Sequence, residues 1–424
     1  MLQEFTVKLS NLLLSLSDAI EIANSRIACH QMRTAFLAWK IAEAAKLPEN
    51  TIGKIYLGAL LHDIGALSLE EKVQLLEEAG EINLDTHCIL GEAFYELSPI
   101  LAPAAKIVRY HHTPWDSWNV PLDTPHVLES QIINLADNIE RAINRNQYIL
   151  HQTETLRTTI SALAKNEIHP DLVDVFMGLS KREDIWLDLT SPRLYSLLLH
   201  HGPFRRIEIG QNEIFSIASV FRHIIDFKSR FTATHSTGVA ECAVMLSRLL
   251  GFTEHETNQM EIAGYFHDLG KLGIPNSILE KPCNLTKQEF DVIKQHTYFT
   301  YTVLNTIGGL DMIAEWAAFH HEKLDGTGYP FHVSAERINL GARIMAVADI
   351  FTALAENRPY RAGMGRKKIE KILKDKVKQR ALDGNIVKIL LENMDDIWKD
   401  VKSKQISSRE TFEKKFLKIK RGGV

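Results

Sequence analysis

The chain has 424 residues, 45% of them hydrophobic and 24% charged, enough for two cores of ordinary globular make-up. A formal net charge of −4 gives no global basic field, so neither a nucleic-acid polymer nor an anionic membrane is an expected partner, and any phosphate recognition must be local. The four cysteines, Cys29, Cys88, Cys242 and Cys283, include no Cys-x-x-Cys pair, which argues against a zinc ribbon or a disulfide framework and for reduced thiols in a cytoplasmic protein.

No signal peptide is expected at the start of this sequence. Leu9 to Leu16 is apolar but carries Ser10, Asn11 and Ser15 and is closed by Asp18, which predicts a core-facing helix and no membrane span. His30, His62-Asp63, His87, His111-His112 and Asp137 follow. A break between about Thr190 and Gly210, with Pro192, Gly202 and Pro203, is the expected linker. His200-His201, beside it, receives no role. Strand signals are nearly absent apart from a weak one at Arg206 to Ile209. Val239, Ala243, Leu246 and Leu250 then recur at helical spacing, as do Ile262, Ala263 and Phe266 ahead of His267. Capping boxes at Thr253-x-x-Glu256 and Thr286-x-x-Glu289 mark helix starts, and turn residues gather at Gly308-Gly309 and from Asp325 to Pro330. Lysine and arginine concentrate from Arg366 to Lys374 and from Lys414 to Arg421, which a solvated helical face accounts for. The predicted class is all-α.

The second half repeats the first half's pattern as His235, His267-Asp268, His296, His320-His321 and Asp349. The lone His precedes the His-Asp pair by 32 residues in both copies, and the middle His precedes the His-His pair by 24 in both. Ile168 to Val173 likewise echoes Leu382 to Val387. Ten of the 18 histidines fall on this pattern, and imidazoles and carboxylates recurring at fixed spacing suit a metal cluster. Five imidazoles and two carboxylates suffice for two cations if one carboxylate bridges, and Asp268 is the natural bridge. Without a thiolate in the set, iron, manganese or nickel is as suitable as zinc.

His267-Asp268-Leu269-Gly270-Lys271, the run from His320 through Gly326-Thr327-Gly328-Tyr329-Pro330, and Asp349 through Arg358-Pro359-Tyr360-Arg361 resemble the HD-GYP family of cyclic-dinucleotide phosphodiesterases over roughly residues 215 to 400. The resemblance implies tandem HD-domain helical bundles, a degenerate one at 1–200 and a catalytic one at 201–424. It also implies a centre of two or three metals, usually iron or manganese, and hydrolysis of cyclic di-GMP or 3′,3′-cyclic GMP-AMP to a linear 5′-phosphorylated dinucleotide. In this reading His235, His267, Asp268, His296, His320, His321 and Asp349 hold metal, and Asp268 and Lys271 are catalytic. Lys271, Arg358 and Arg361 meet phosphates, the two arginines sharing one helical face if the Asp349 helix persists past them, although Pro359 favours a bend. Tyr329 either shapes its loop or lines a guanine.

Two positions depart from the family pattern. Phe231 stands where three-metal members carry Glu, favouring two metals, and Thr300 stands where Gly is usual, which puts substrate preference in question. The first half keeps His30, His62, Asp63, His87, His111, His112 and Asp137, a possible second metal site. Lys271 is answered there by Ala66, the Gly-Tyr-Pro loop by Thr113 to Trp118, and the two arginines by Asn146 and Ile149, with Arg141 or Arg145 as partial replacements. Metal retention without substrate capture is expected, with residues 1–190 packing on the second unit. The alternatives are a cyclic-dinucleotide receptor without turnover, or another nucleotide phosphohydrolase of the HD superfamily.

Overall fold

A computed structural model describes residues 5–22, 27–77, 84–228, 234–356 and 362–412. The expected all-α class holds: among the described residues the only strands are Val7–Lys8 and Glu208–Ile209, antiparallel with Val7 opposite Ile209. None of their helices is long and apolar enough to cross a membrane. The chain forms two compact units, Val7–Ile209 and the residues from Gly210 on, which Phe5 and Thr6 join.

The segment expected as a linker is instead part of the first unit. Leu194–His201 is helical, with Leu194 and Leu198 buried. The Tyr195 hydroxyl donates to Asn11 Oδ1 at 2.7 Å and lies 2.9 Å from Ser15 Oγ, both on the helix Leu9–Glu21. Pro192, Gly202 and Pro203 punctuate secondary structure here and do not mark a gap in burial, so the division falls at Ile209 and not at residue 200.

Both units use the same sequence of helices. In the second, His235–Leu249 packs on Glu254–Phe266, on Leu340–Ala355 and on Met394–Phe412; in the first, His30–Ala44 packs on Glu49–Leu60 and Val127–Ala142. The apolar stripe Val239, Ala243 and Leu246 is fully buried, as are Ile262, Ala263 and Phe266, so helical periodicity becomes core contact. Both predicted capping boxes form: the hydroxyls of Thr253 and Thr286 accept from the backbone of Glu256 and Glu289, whose carboxylates reach back. Each such cap stabilises its helix by about 1 kcal/mol. The echoed segments also match in role, since His169 and Asp383 cap the helices Pro170–Leu179 and Gly384–Glu392 through their side chains.

One close approach sets where each His-Asp pair sits. A Cβ on Gly270 would lie 2.0 Å from the carbonyl oxygen of His296, and one on Gly65 would lie 2.0 Å from that of His87. Only a hydrogen fits, so the turn after the His-Asp pair rests directly on the helix carrying the middle His. Gly270→Ala should therefore lower the unfolding free energy by about 1–3 kcal/mol or more, read by chemical denaturation. Unchanged stability would mean that this backbone can move aside.

Candidate metal centres

In the second unit, helix termini deliver most of the ligating side chains. His267 follows Glu254–Phe266 and His320 follows Asp311–Ala318, while His296 lies within Lys287–Ile307 and Asp349 within Leu340–Ala355. Three of these imidazoles are held alike. His267 Nδ1 lies 2.8 Å from the Gly264 carbonyl oxygen, His296 Nδ1 2.7 Å from that of Ile293, and His320 Nδ1 2.6 Å from that of Ala317. A carbonyl can only accept, so each Nδ1 carries the proton and each Nε2 lone pair faces inward. His235, at the start of its helix, is fixed differently: its Nδ1 is 3.0 Å from Glu356 Oε1 and its Nε2 3.1 Å from Asp349 Oδ1.

The inward-facing atoms gather into two sets, His235 with His267 and Asp268, and His296 with His320 and His321, the ligand atoms of each within 4.8 Å of one another. Asp268 lies between the sets, with Oδ2 3.1 Å from His267 Nε2 and Oδ1 3.5 Å from His296 Nε2. Burial alone would push its carboxyl up, but His267 and Lys271 hold it well below the usual carboxylate range. Burial drives His296 down to about 3 and lowers His320 and His321, so these three are neutral and able to ligate at pH 7. His267 Nε2 is buried without a hydrogen-bond partner among the described residues. Such an atom costs roughly 1–3 kcal/mol unless something binds it. A donor set of imidazole and carboxylate fits one divalent cation in each group, with Asp268 able to serve both.

The remaining expected site residues are placed unevenly. Lys271 Nζ lies 2.5 Å from Asp268 Oδ2, on the turn Leu269–Gly273 and at the edge of the cluster. Tyr329 lies with its ring 5.0 Å from that of His321. Arg358, Arg361 and Phe231 fall outside the described residues. The Asp349 helix ends at Ala355, with Glu356 extended, before it reaches either arginine position. Thr300, where the family pattern has Gly, is fully buried, its hydroxyl accepting from Gly270 N at 3.0 Å and donating to the His267 carbonyl at 3.2 Å. A hydroxyl thereby joins two backbone groups of the His-Asp turn to the helix of His296.

Sequence reading missed three supporting carboxylates. Glu356 holds His235, and nothing marks it in the pattern because its first-unit counterpart in function, Glu140, follows its aspartate at a different spacing. Glu322 accepts from the backbone of Phe331, His332 and Val333 at 2.7, 3.1 and 3.2 Å, anchoring the loop that carries Tyr329. Asp226 accepts from Ser236 N and Oγ at the start of the His235 helix, as Glu21 accepts from Gln31 N in the first unit. Both lie nine residues before their histidine, a signal the repeat did contain. Burial lifts them to about 6 and about 7.

The first unit reproduces the cluster. His62 and His111 each give Nδ1 to the carbonyl three residues earlier, at 2.9 and 2.6 Å, while His30 Nδ1 meets Glu140 Oε2 at 2.5 Å. The sets here are His30, His62 and Asp137, and Asp63, His87, His111 and His112. His62 Nε2, Asp63 Oδ1, His111 Nε2 and Asp137 Oδ1 are buried without hydrogen-bond partners among the described residues. Imidazole and carboxylate atoms face one another closely here, His30 Nε2 lying 3.2 Å from Asp137 Oδ1 and His87 Nε2 3.5 Å from Asp63 Oδ1, a donor set that fits a cation. At the positions that answer Lys271, Arg358 and Arg361, Ala66 is buried, Asn146 is exposed and Ile149 is core. Arg141 and Arg145, the partial replacements, are engaged with Asp137 and Glu140 at 3.4 and 2.7 Å. Cys88, where the second unit has Thr297, puts Sγ 3.6 Å from His87 Nε2.

The HD-domain family signature matches twice, over residues 219–386 and 27–142. Over 400 residues the chain is 30% identical to the 3'3'-cGAMP-specific phosphodiesterase 1 of Vibrio cholerae serotype O1, covering 92% of this chain and 93% of that protein. The chain belongs to the HD-GYP phosphodiesterases. A cyclic di-GMP phosphodiesterase of Pseudomonas aeruginosa is 36% identical over 155 residues, 34% of this HD-GYP chain and 37% of its own length. A crystal structure described as a cyclic GMP-AMP specific phosphodiesterase of V. cholerae shares the fold, with a TM-score of 0.63 at 23% identity over 92% of this chain and 98% of that one. HD domains are metal-dependent, in keeping with both His/Asp clusters.

Burial pushes the His235 imidazole down, but Glu356 and Asp349 more than reverse this and raise it to about 10. In metal-free protein its charged form thus contributes stability that is complete below about pH 6.5, the unfolded value, and is lost as pH rises through about 10. Glu356→Gln should move the His235 titration down, as read by NMR of the metal-free protein. An unmoved titration would show that Glu356 does not govern this histidine.

Proposed function

We propose that the second unit hydrolyses a 3′,5′-phosphodiester bond of a cyclic dinucleotide, cyclic di-GMP or 3′,3′-cyclic GMP-AMP, to a linear 5′-phosphorylated dinucleotide. The observation that carries this reading is the pair of histidine sets bracketing Asp268, in a chain similar over nearly its whole length to a 3'3'-cGAMP-specific phosphodiesterase. Two divalent cations, iron or manganese with nickel or zinc also compatible, would activate the attacking water and neutralise charge on the phosphoryl group. His235, His267, Asp268 and Asp349 would hold one, and His296, His320 and His321 the other, with Asp268 shared.

The chain's own groups complete the chemistry. Lys271, held against Asp268 Oδ2, puts a cation beside the cluster where a phosphate oxygen can exchange for the carboxylate. Glu322 keeps the Tyr329 loop folded over His321, because three backbone donors converge on one carboxylate. Arg358 and Arg361 are assigned to the far phosphate on sequence alone. The first unit, in this reading, holds cations through His30, His62, Asp63, His87, His111, His112 and Asp137 but captures no substrate, since Ala66 replaces the lysine and Arg141 and Arg145 are paired to its own carboxylates.

A bridging carboxylate cannot become an amide without losing charge, so Asp268→Asn should abolish hydrolysis and lower the metal bound per chain, whereas Asp63→Asn should lower metal content and leave turnover largely intact. Metal analysis beside rate tests both, and full activity in folded Asp268→Asn protein would sink the assignment. Lys271→Ala should keep the metals yet lose roughly 10- to 150-fold in kcat/KM, the worth of one charge-assisted contact. Metal loss equal to that of Asp268→Asn would make Lys271 a support for the centre only.

A further inference from the structure

We propose that Phe290 is a purine-stacking residue of the second unit's substrate cleft. The proposal rests on the cyclic-dinucleotide reading above and names a recognition group for that reaction. Phe290 lies in the first turns of Lys287–Ile307, the helix that carries His296. The core-facing side of that helix runs through His296, Thr300, Val303, Leu304 and Ile307, all buried, whereas Phe290 is 41% exposed. A single exposed aromatic is ordinary on a protein surface. Its surroundings set this one apart.

The Phe290 ring meets Tyr329 edge to face, with centroids 6.0 Å apart and planes at 84°. Tyr329 in turn lies 5.0 Å from His321, a member of the second histidine set. A row of rings thus leads from the metal ligands to solvent and ends in Phe290. Two perpendicular rings form a corner, which can take a flat base against the face of one and the edge of the other. Tyr329 also brings a phenol hydroxyl to the corner, a group that can donate to or accept from a base edge. Lys294, one turn along, has Nζ over the Phe290 ring, 5.1 Å from its centroid, and 2.8 Å from Asp291 Oδ1, so a cation lies near the ring. The folding explanation, that Phe290 props the Tyr329 loop, is weakened by the loop's own anchoring: Glu322 binds three of its backbone groups and Gly328 packs directly on the Glu322 backbone. An aromatic face beside a phosphate-cleaving centre suits a nucleobase, since every base offers a π-face whatever its hydrogen-bonding pattern.

Steady-state kinetics of Phe290→Ala and Phe290→Trp on the metal-loaded full chain, with a cyclic purine dinucleotide and with methyl p-nitrophenyl phosphate, a phosphodiester without a base, test the assignment. Phe290→Ala should raise KM for the cyclic dinucleotide roughly 10-fold with little change in kcat, and should leave the base-free diester unaffected. Phe290→Trp should restore the wild-type KM. Equal losses on both substrates would make Phe290 a prop for the loop, and an unchanged KM for the dinucleotide would remove it from recognition; either overturns the proposal. Wild-type protein that cleaves the base-free diester but no cyclic purine dinucleotide would overturn the reaction class itself, and the stacking role with it. Loss confined to Phe290→Ala overturns neither and supports both.

Discussion

A carbonyl left without a partner at the end of a helix is the constraint on which both centres depend. The last turn of an α-helix cannot satisfy its own carbonyl oxygens. In each unit a histidine placed just past such an end, His267 and His320 in the second, His62 and His111 in the first, takes up one of them through Nδ1. One contact therefore does two things: it satisfies a buried acceptor and fixes the tautomer, leaving Nε2 as a lone-pair donor aimed at the centre. The His-Asp dipeptide then follows from geometry, since the residue after the histidine turns into the same space and brings a carboxylate between the two histidine sets. Glycine is required three residues on, where the turn touches the backbone of the neighbouring helix.

What was legible in the sequence follows from this. Ligands are few in kind and fixed in spacing, so the duplicated His/Asp pattern exposed both clusters, and helical periodicity with two capping boxes exposed the class of fold. Support residues were harder to see. Glu356 and Glu140 perform the same task from different positions, so comparing the repeats hides them, and Asp226 and Glu21 share a spacing but differ in residue type. Thr300 stood out only as a departure from the family's Gly, and nothing in the pattern showed that its hydroxyl serves two buried backbone groups. The expected linker failed for a general reason: proline and glycine report where a helix stops, and burial of Leu194 and Leu198 is decided by which other surfaces are apolar.

The two units separate what the family's chemistry combines. Both bury carboxylates among imidazoles, and both leave buried ligand atoms without hydrogen-bond partners among the described residues. They differ at the rim. In the second unit Lys271 faces Asp268, Tyr329 stands beside His321 and Phe290 meets Tyr329; in the first, alanine replaces the lysine and arginines are paired with Asp137 and Glu140. On the proposed reading, cation binding and substrate capture are carried by different residues, and the first unit keeps the residues for one without those for the other.

On the proposed reading, the second unit's centre opens a purine cyclic dinucleotide. The most direct test is to incubate metal-analysed wild-type protein with cyclic di-GMP, 3′,3′-cyclic GMP-AMP and cyclic di-AMP side by side and to identify the products by mass. A linear dinucleotide with one 5′-phosphate, formed from a guanine-containing substrate, is the predicted result. Protein with its full complement of divalent metal that leaves all three substrates intact would contradict the account.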